Sequence, residues 1–490
     1  MKKSIAVTIL ILIFLVTLTS RLFLAFQTPY ISYDSYDSLR QIENINEEGV
    51  PLFNDELSYG GRSHLFPPIF YYLVSFFDIF GSDFAIKVIP NLLFALIVIP
   101  IYLISFNITK DHLISLMTSF FSGFIPIFFS SVNSLSSYSL VAVLTLFVIY
   151  SLLNLNKKKH LNLSLILIVV FVFTHSSVFL VLIGLLLYLL MLKVESLETM
   201  AKEQEIILFA SFLALWFNFI VFKTAFAIHG PLVIWQNIPL QILTTYFFDL
   251  NIFQSLYFLG LVPVFFGIYT IYSVMFTSKK KSLILIISLS LSVLILLWAK
   301  LLAFKVGLLF LGLFLVILSS HSIKNAYSYI KKTKVPSLAN WFLAAVFLLF
   351  LVSAIIPSIY VASNSLDDVP SQSEIDAMLW IKDNTPVNST VLARVQEGHL
   401  ITFFAERKNV IDDDFLMVED AQTRYDQVQD IFSLRLKNEV VRRLTRYNVN
   451  YIYFSGLFGS EENLYYVNDD CFNLVYDKSI KIYELTCSLR

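Results

Sequence analysis

The chain has 490 residues, 57% of them hydrophobic and only 14% charged, with 35 Lys and Arg against 36 Asp and Glu. A mean hydropathy of +0.73 excludes a water-soluble globular protein, which would expose enough apolar surface to aggregate. The formal net charge of −1 and the confinement of basic clusters to short loops argue against nucleic acid as a partner.

The first segment, MKKSIAVTILILIFLVTLTSRLFLAF, has the lysines and apolar core of a signal sequence. Its apolar run continues to Phe26 without a small-residue cleavage site, which predicts an uncleaved anchor over 5–26. Further apolar runs follow at 84–107, 113–132, 138–155, 161–176, 177–193, 205–222, 253–276, 283–299, 302–319 and 340–361. Each is long enough to cross a hydrocarbon core of roughly 30 Å as a helix, the only open-ended element that satisfies its own backbone in lipid, giving about eleven spans. The 161–193 pair is the least distinct division. The stretch 65–80, LFPPIFYYLVSFFDIF, is short, opens with two prolines and contains Asp78, so it reads as an interfacial or re-entrant helix.

Lys2 and Lys3, Lys110, Lys157 to Lys159, Lys279 to Lys281 and the 324–334 segment all fall on one side if the N-terminus is cytoplasmic. This positive-inside bias puts the first loop at 27–83, the 223–252 loop, the turn near Lys300 and the C-terminal region on the outer face. The expected organisation is a transmembrane domain over 1–361 and an extracytoplasmic domain over 362–490. In the latter, SEIDAMLWIKDN and KNEVVRRLTRY have helical patterns, STVLARV and VNYIYFS strand patterns, and FNLVYD with IKIYEL a hairpin pattern, which together predict a small α/β domain. Cys471 and Cys487 are the only cysteines, and two positions give no disulfide framework.

Phosphate-cradling loops, HExxH, paired CxxC and GxSxG are absent, so ATP-driven transport, zinc hydrolysis and serine esterase chemistry lack their signatures. Polar groups gather instead on the outer loops. Asp34 and Asp37 stand just after the first span; Asp34 reads either as the N-cap of the helix-like YDSLRQIENINEE or as a general base or cation ligand held at the membrane surface. SYGGRSHLFPP carries Arg62 and His64 on a tight turn, and HGPLVIWQNIP carries His229 and Gln236 between two spans. His175 lies at an outer helix end. Lys300 and Lys305 could simply snorkel, but they break the positive-inside pattern, an exception that an anionic ligand would explain.

These pieces resemble the GT-C class of membrane glycosyltransferases, within it the branch of oligosaccharyltransferase catalytic subunits and archaeal relatives of the dolichyl-phosphate-mannose protein mannosyltransferases. Asp34 precedes Arg40 by the interval seen in that branch, and Gly61, Arg62 and Pro67 follow in order. After the last span come Trp380, NTP at 384–386, Gly398, and Arg407 followed by Asp412 in ERKNVIDDDF. The resemblance implies that Asp34 is the catalytic carboxylate, and that a sugar is transferred, with inversion, from a polyprenyl phosphate donor to a protein, glycan or lipid acceptor at the bilayer surface. Topology places Lys300 or Lys305, with Arg62 a weaker candidate, to meet the leaving phosphate, and Asp37, Arg40, His64, His175, His229 and Gln236 are further candidates. The resemblance also implies a divalent cation, Mg or Mn, with Asp34 as a ligand. Here the chain departs from the family: SSVNSLSSYS at 130–139 lacks the acidic pair of the second outer loop, ARVQEG at 393–398 stands where acceptor recognition would lie, and Gln236 replaces a Glu three residues before Pro239. The alternatives are a divergent oligosaccharyltransferase catalytic subunit and a non-catalytic transporter or scaffold; the lack of internal repeats argues against transport.

Overall fold

The computed structural model describes residues 2–248, 252–277, 279–457, 464–467 and 471–487, with the backbone alone over 245–248. Two compact units divide the chain. One comprises Met1–Pro29, Pro67–Val221 and Thr245–Asp367; the other comprises Tyr30–Phe66, Phe222–Thr244 and Asp368–Arg490.

Each expected span overlaps helix, and those at 113–132 and 161–176 are only partly helical. Among the described residues six stretches are long and apolar enough to cross a membrane: Lys3–Ala25, Phe84–Thr109, Ala201–Thr244, Lys281–Trp298, Phe304–Lys331 and Leu338–Asn364. Tyr138–Leu152 and Val178–Val194 are shorter apolar helices, as is Ile69–Asp78, which occupies the stretch read as interfacial. The run at 253–276 is broken rather than straight, because helices Ile252–Leu259 and Leu261–Phe276 meet at 101°. Gly260, at φ +80°, forms the joint, and Pro263 then lacks the N–H that would continue the ladder backward. Pro126 likewise separates His112–Gly123 from the short helix Pro126–Phe129.

One charge is buried in the first helix. Arg21 Nε donates to Asn91 Oδ1 at 2.9 Å, and its guanidinium also reaches the carbonyls of Phe128 and Ser131. Backbone acceptors of this kind are what allow a membrane helix to keep a charge, so Arg21 is structural.

The second unit contains helix Ser35–Glu48, a small hairpin of β1 (Asn54–Asp55) and β2 (Arg62–Ser63), and a five-stranded sheet. That sheet has β3 (Thr390–Leu392), β4 (Lys408–Asn409), β5 (Tyr451–Phe454), β6 (Phe472–Asp477) and β7 (Lys481–Leu485) in the order β4-β3-β5-β7-β6. β4, β3 and β5 are parallel, whereas β5, β7 and β6 are antiparallel. Helix Gln372–Asn384 starts in a capping box of Ser371 and Glu374, and Ala421–Ser433 and Lys437–Arg446 cover the sheet. Leu392, Val428, Ile431, Val440 and Ile452 form its dry centre, and a Cys471–Cys487 disulfide ties β6 to the residues after β7.

The segment expected as a loop at 223–252 is largely helical, and its residues 249–251 lie outside the described residues. Helix Ala201–His229 continues into a tight turn at Gly230–Trp235 and then Leu240–Phe248. Asn237, held in the left-handed region at φ +54°, donates from Nδ2 to the carbonyls of Phe415 and Val418, at 3.0 and 2.7 Å. Those two bonds, with Ile238 and Ile242 against the core, bind the segment into this unit.

Candidate active site

Asp34, Asp37 and Gln41 are three and then four residues apart, so they lie on one face of the turn that opens helix Ser35–Glu48. Asp34 does not cap this helix. Its own backbone is already helical, at φ −63° and ψ −24°, and its side chain accepts from Ser32 Oγ at 2.6 Å instead of from the helix amides. Asp34 is an exposed residue whose carboxylate stays available for chemistry although neighbouring groups of the protein crowd it.

Within the same unit, the loops after the carboxyl ends of β3 and β4 bring together the groups around that face, as parallel strands commonly do. Gly398 makes this possible: a Cβ there would lie 2.2 Å from Ile411 O and 2.7 Å from Asp412 Cβ, so only glycine lets the two loops touch. His399 follows immediately. Its Nε2 donates to Asp413 Oδ1 at 2.6 Å, and its Nδ1 lies 4.0 Å from Asp412 Oδ2 with no hydrogen-bond partner among the described residues. Asp412 is fully buried, accepting from Ser58 Oγ and, at 3.0 Å, from Asn409 Nδ2, and facing Arg62 at 3.3 Å. Arg62 also bonds the Asp414 carbonyl and stacks over the Tyr59 ring at 5.1 Å. His64 completes the ring of charge, 2.9 Å from Asp414 and 3.7 Å from Asp37.

The electrostatics follow from this crowding. Protein packed around Asp34 raises its carboxyl above the ordinary range; the Ser32 hydroxyl opposes the shift, Asp413 adds to it, and His399 opposes it. Burial works against charge on His399, yet Asp412 and Asp413 outweigh it and hold the imidazolium up to about 10. The same contest raises His64 through Asp37 and Asp414. Asp414, despite burial, is held well below the usual carboxylate range by Arg62 and His64. Glu397, buried two residues before His399, is pushed up to about 7 by loss of solvent, with the Ser455 hydroxyl opposing.

The residues singled out from sequence divide sharply. Asp34, Asp37, Arg62 and His64 belong to this cluster. Arg62, expected as a phosphate ligand, is corrected: buried between Asp412 and Asp414, its charge is already compensated. Arg40 is a fork-to-fork partner of buried Asp55, at 2.6 and 2.8 Å, and so is structural. Arg407 bonds Lys382 O and Thr385 O, tying down the end of helix Gln372–Asn384. His175 accepts from Ser177 N and faces the Tyr138 ring at 4.8 Å, the hydrogen-bonded helix-end reading. His229 ends helix Ala201–His229, and exposed Gln236 lies in the left-handed region at φ +54°. Lys300, at φ +56°, is in the turn after helix Lys281–Trp298, and Lys305 is in the first turn of Phe304–Lys331.

His399 and the acids of IDDDF as a group escaped the sequence reading. The available signal was three consecutive aspartates after a strand and a histidine next to a conformationally free glycine; neither announces its partner. His399, Asp412 and Asp413 each offer one donor atom, all within 4.8 Å of one another. One imidazole nitrogen with carboxylate oxygens suits a divalent metal, and the partnerless Nδ1 is the buried orphan that such an ion would satisfy. Asp413 on Nε2 would orient the ring in the manner of a supporting carboxylate. The cluster thus fits a cation, with carboxylates drawn from the C-terminal region rather than from the acid-free 130–139 loop.

No protein-family model matches the chain, and no curated protein does. Solved structures do. The oligosaccharyltransferase of Archaeoglobus fulgidus, tethered with an acceptor peptide containing the NVT sequon, has a TM-score of 0.67 at 14% identity over 93% of this chain and 69% of that one. The same organism's AglB in complex with an inhibitory peptide and a dolichol-phosphate has a TM-score of 0.65 at 13% identity, covering 92% and 69%. That oligosaccharyltransferase has also been crystallised with Zn and sulfate. ArnT from Cupriavidus metallidurans, bound to undecaprenyl phosphate, has a TM-score of 0.55 at 11% identity and covers 98% of both chains. The fold is that of the GT-C membrane glycosyltransferases, a multi-helix apolar unit with a C-terminal sheet domain.

Proposed function

We propose that this chain is a multi-pass membrane glycosyltransferase that moves a sugar from a polyprenyl-phosphate donor, such as a dolichyl phosphate, to a protein, glycan or lipid acceptor on the outer face. The observation that carries this reading is the exposed, non-capping carboxylate of Asp34 beside His399 and Asp413, on a fold shared with enzymes solved with dolichol-phosphate and undecaprenyl phosphate. A base must take the acceptor proton as the acceptor oxygen bonds to the anomeric carbon from one side and the lipid phosphate departs from the other with the electron pair, which inverts the centre. Asp34 is the proposed base, and a carboxyl raised above its ordinary value is a stronger one than a free aspartate. Asp37, His64 and Asp414 hold the charges around it in place.

The departing phosphate needs positive charge. With Arg62 compensated, Lys300 and Lys305 carry that proposal, on the strength of topology alone. A divalent cation held by His399 Nδ1 and Asp412, with Asp413 orienting the ring through Nε2, would, when bound, supply Lewis-acid charge. The proposed orientation keeps the N-terminus cytoplasmic and the C-terminal domain outside.

Asp34→Asn keeps the shape and removes the base, so sugar transfer in membranes supplied with the lipid donor is expected to disappear; unchanged product would remove Asp34 from the mechanism. Lys300→Met and Lys305→Met are expected to weaken donor use while leaving acceptor binding alone. The oligosaccharyltransferase alternative draws on one observation, the higher TM-score to the Archaeoglobus enzyme than to ArnT, 0.67 against 0.55. Glycosylation of a sequon peptide from a lipid-linked oligosaccharide would select it.

A further inference from the structure

A polar cavity lies in the same unit as the catalytic cluster, at the opposite ends of the parallel strands. Its volume is about 450 Å³, and its lining contains Lys408, Arg424 and Arg446 but no aspartate or glutamate. Asn388 and Asn448 add exposed side-chain amides, and Tyr59 and Tyr447 supply rings. The walls are built, not accidental. Arg424 is clamped between Tyr59 and Tyr447, 5.3 and 4.9 Å from their centroids, and donates to the carbonyls of Tyr59 and Val410 at 3.3 and 3.2 Å. Asp420, at 3.1 Å, offsets its charge. Lys408 and Arg446 have no carboxylate within ion-pair distance among the described residues. Asn448 sits in the left-handed region at φ +52°, a conformation that asparagine accepts more readily than other side chains and that fixes the rim.

We infer that this cavity binds an anionic sugar unit, a hexuronate or a sulfated or phosphorylated hexose. Two uncompensated cations in a lining without acids select an oxyanion. The volume is in the range of small-molecule sites, much larger than a bare ion requires, and the amides suit sugar hydroxyls, which both donate and accept. The ring faces of Tyr59 lie against guanidinium groups of Arg62 and Arg424, so hydrogen bonds and charge, rather than stacking on that ring, carry recognition. Tyr59 also donates through its hydroxyl to Asp412 O at 2.5 Å, which makes it a residue common to the cavity and the catalytic cluster. The inference is independent of the transfer reaction.

Titration of the full chain in detergent with glucuronate, glucose 6-sulfate, glucose and inorganic phosphate tests it. Binding of glucuronate or glucose 6-sulfate is expected, at least about 10-fold tighter than glucose. It should weaken about 10-fold or more in Lys408→Met with Arg446→Gln, while the melting temperature and Asp34-dependent activity persist. Glucose bound as well as the charged sugars would overturn the role of the cations. Inorganic phosphate bound as tightly as glucose 6-sulfate would reduce the site to an ion site and overturn the sugar. Charged sugars bound equally by the double variant, or not bound by the wild type, would also overturn it. Failure of sugar transfer in Asp34→Asn bears on the catalytic reading alone.

Discussion

His399 donates through Nε2 to Asp413 Oδ1 at 2.6 Å, while its buried Nδ1 lies 4.0 Å from Asp412 Oδ2 with no hydrogen-bond partner among the described residues. A histidine so placed is either an imidazolium held by two acids or a metal ligand oriented by one of them. Asp412 is a weakened donor, since Arg62 already shares its charge.

Equilibrium dialysis separates the two states of His399. Purified protein is expected to retain a divalent ion, Mn or Zn, that His399→Ala abolishes and Asp413→Asn weakens by about 10- to 100-fold. Identical retention by wild type and His399→Ala would leave the cluster as an ion-pair network.

Asp34→Asn is expected to lower kcat by about 10²- to 10⁴-fold, the usual range for a lost general base. Because Asp34 makes no capping bond, the melting temperature should stay within the wild-type range. A fall in stability comparable to the loss of a helix cap, about 1 kcal/mol, would return Asp34 to a structural role.

Arg40 and Asp55 make a buried pair whose loss is structural. Burial alone would raise the Asp55 carboxyl, but Arg40 and two backbone amides lower it from 3.8 to about 2. The folded value lies below the unfolded one, so this stabilisation, about 2 kcal/mol, is complete above about pH 4 and is lost as pH falls towards 2. Asp55→Asn leaves the half-buried Arg40 fork uncompensated and should cost about 1–3 kcal/mol at pH 7. Thermal unfolding at pH 7 and pH 3 checks both statements, and the variant should be less sensitive to this pH change than the wild type.

Gly398→Ala forces a methyl to within 2.2 Å of Ile411 O. The backbone must move, at a cost of about 1–3 kcal/mol. His399 moves with it, so activity should fall along with the melting temperature; an unaltered enzyme would show that the two loops need not touch.

The apolar helices were readable because backbone groups among apolar side chains must bond to one another locally, so apolar runs become helices. The tail's strands and helices were readable from their period. Asp34, Asp37, Arg62 and His64 could be selected because they are polar groups on a connection between apolar runs. What each does could not. Arg62 and Arg40 are the same residue type only 22 positions apart, yet one lies between Asp412 and Asp414 and the other grips Asp55. The partner of Ser58 is 354 residues away, and His399 meets Asp412 only because Gly398 lets two backbones touch. Local hydropathy and spacing therefore determined which segments form apolar helices and which polar groups lie on the connections between them. The tertiary fold decided whether a charge would be compensated or left available, because that depends on through-space distances of a few ångströms between residues remote in sequence.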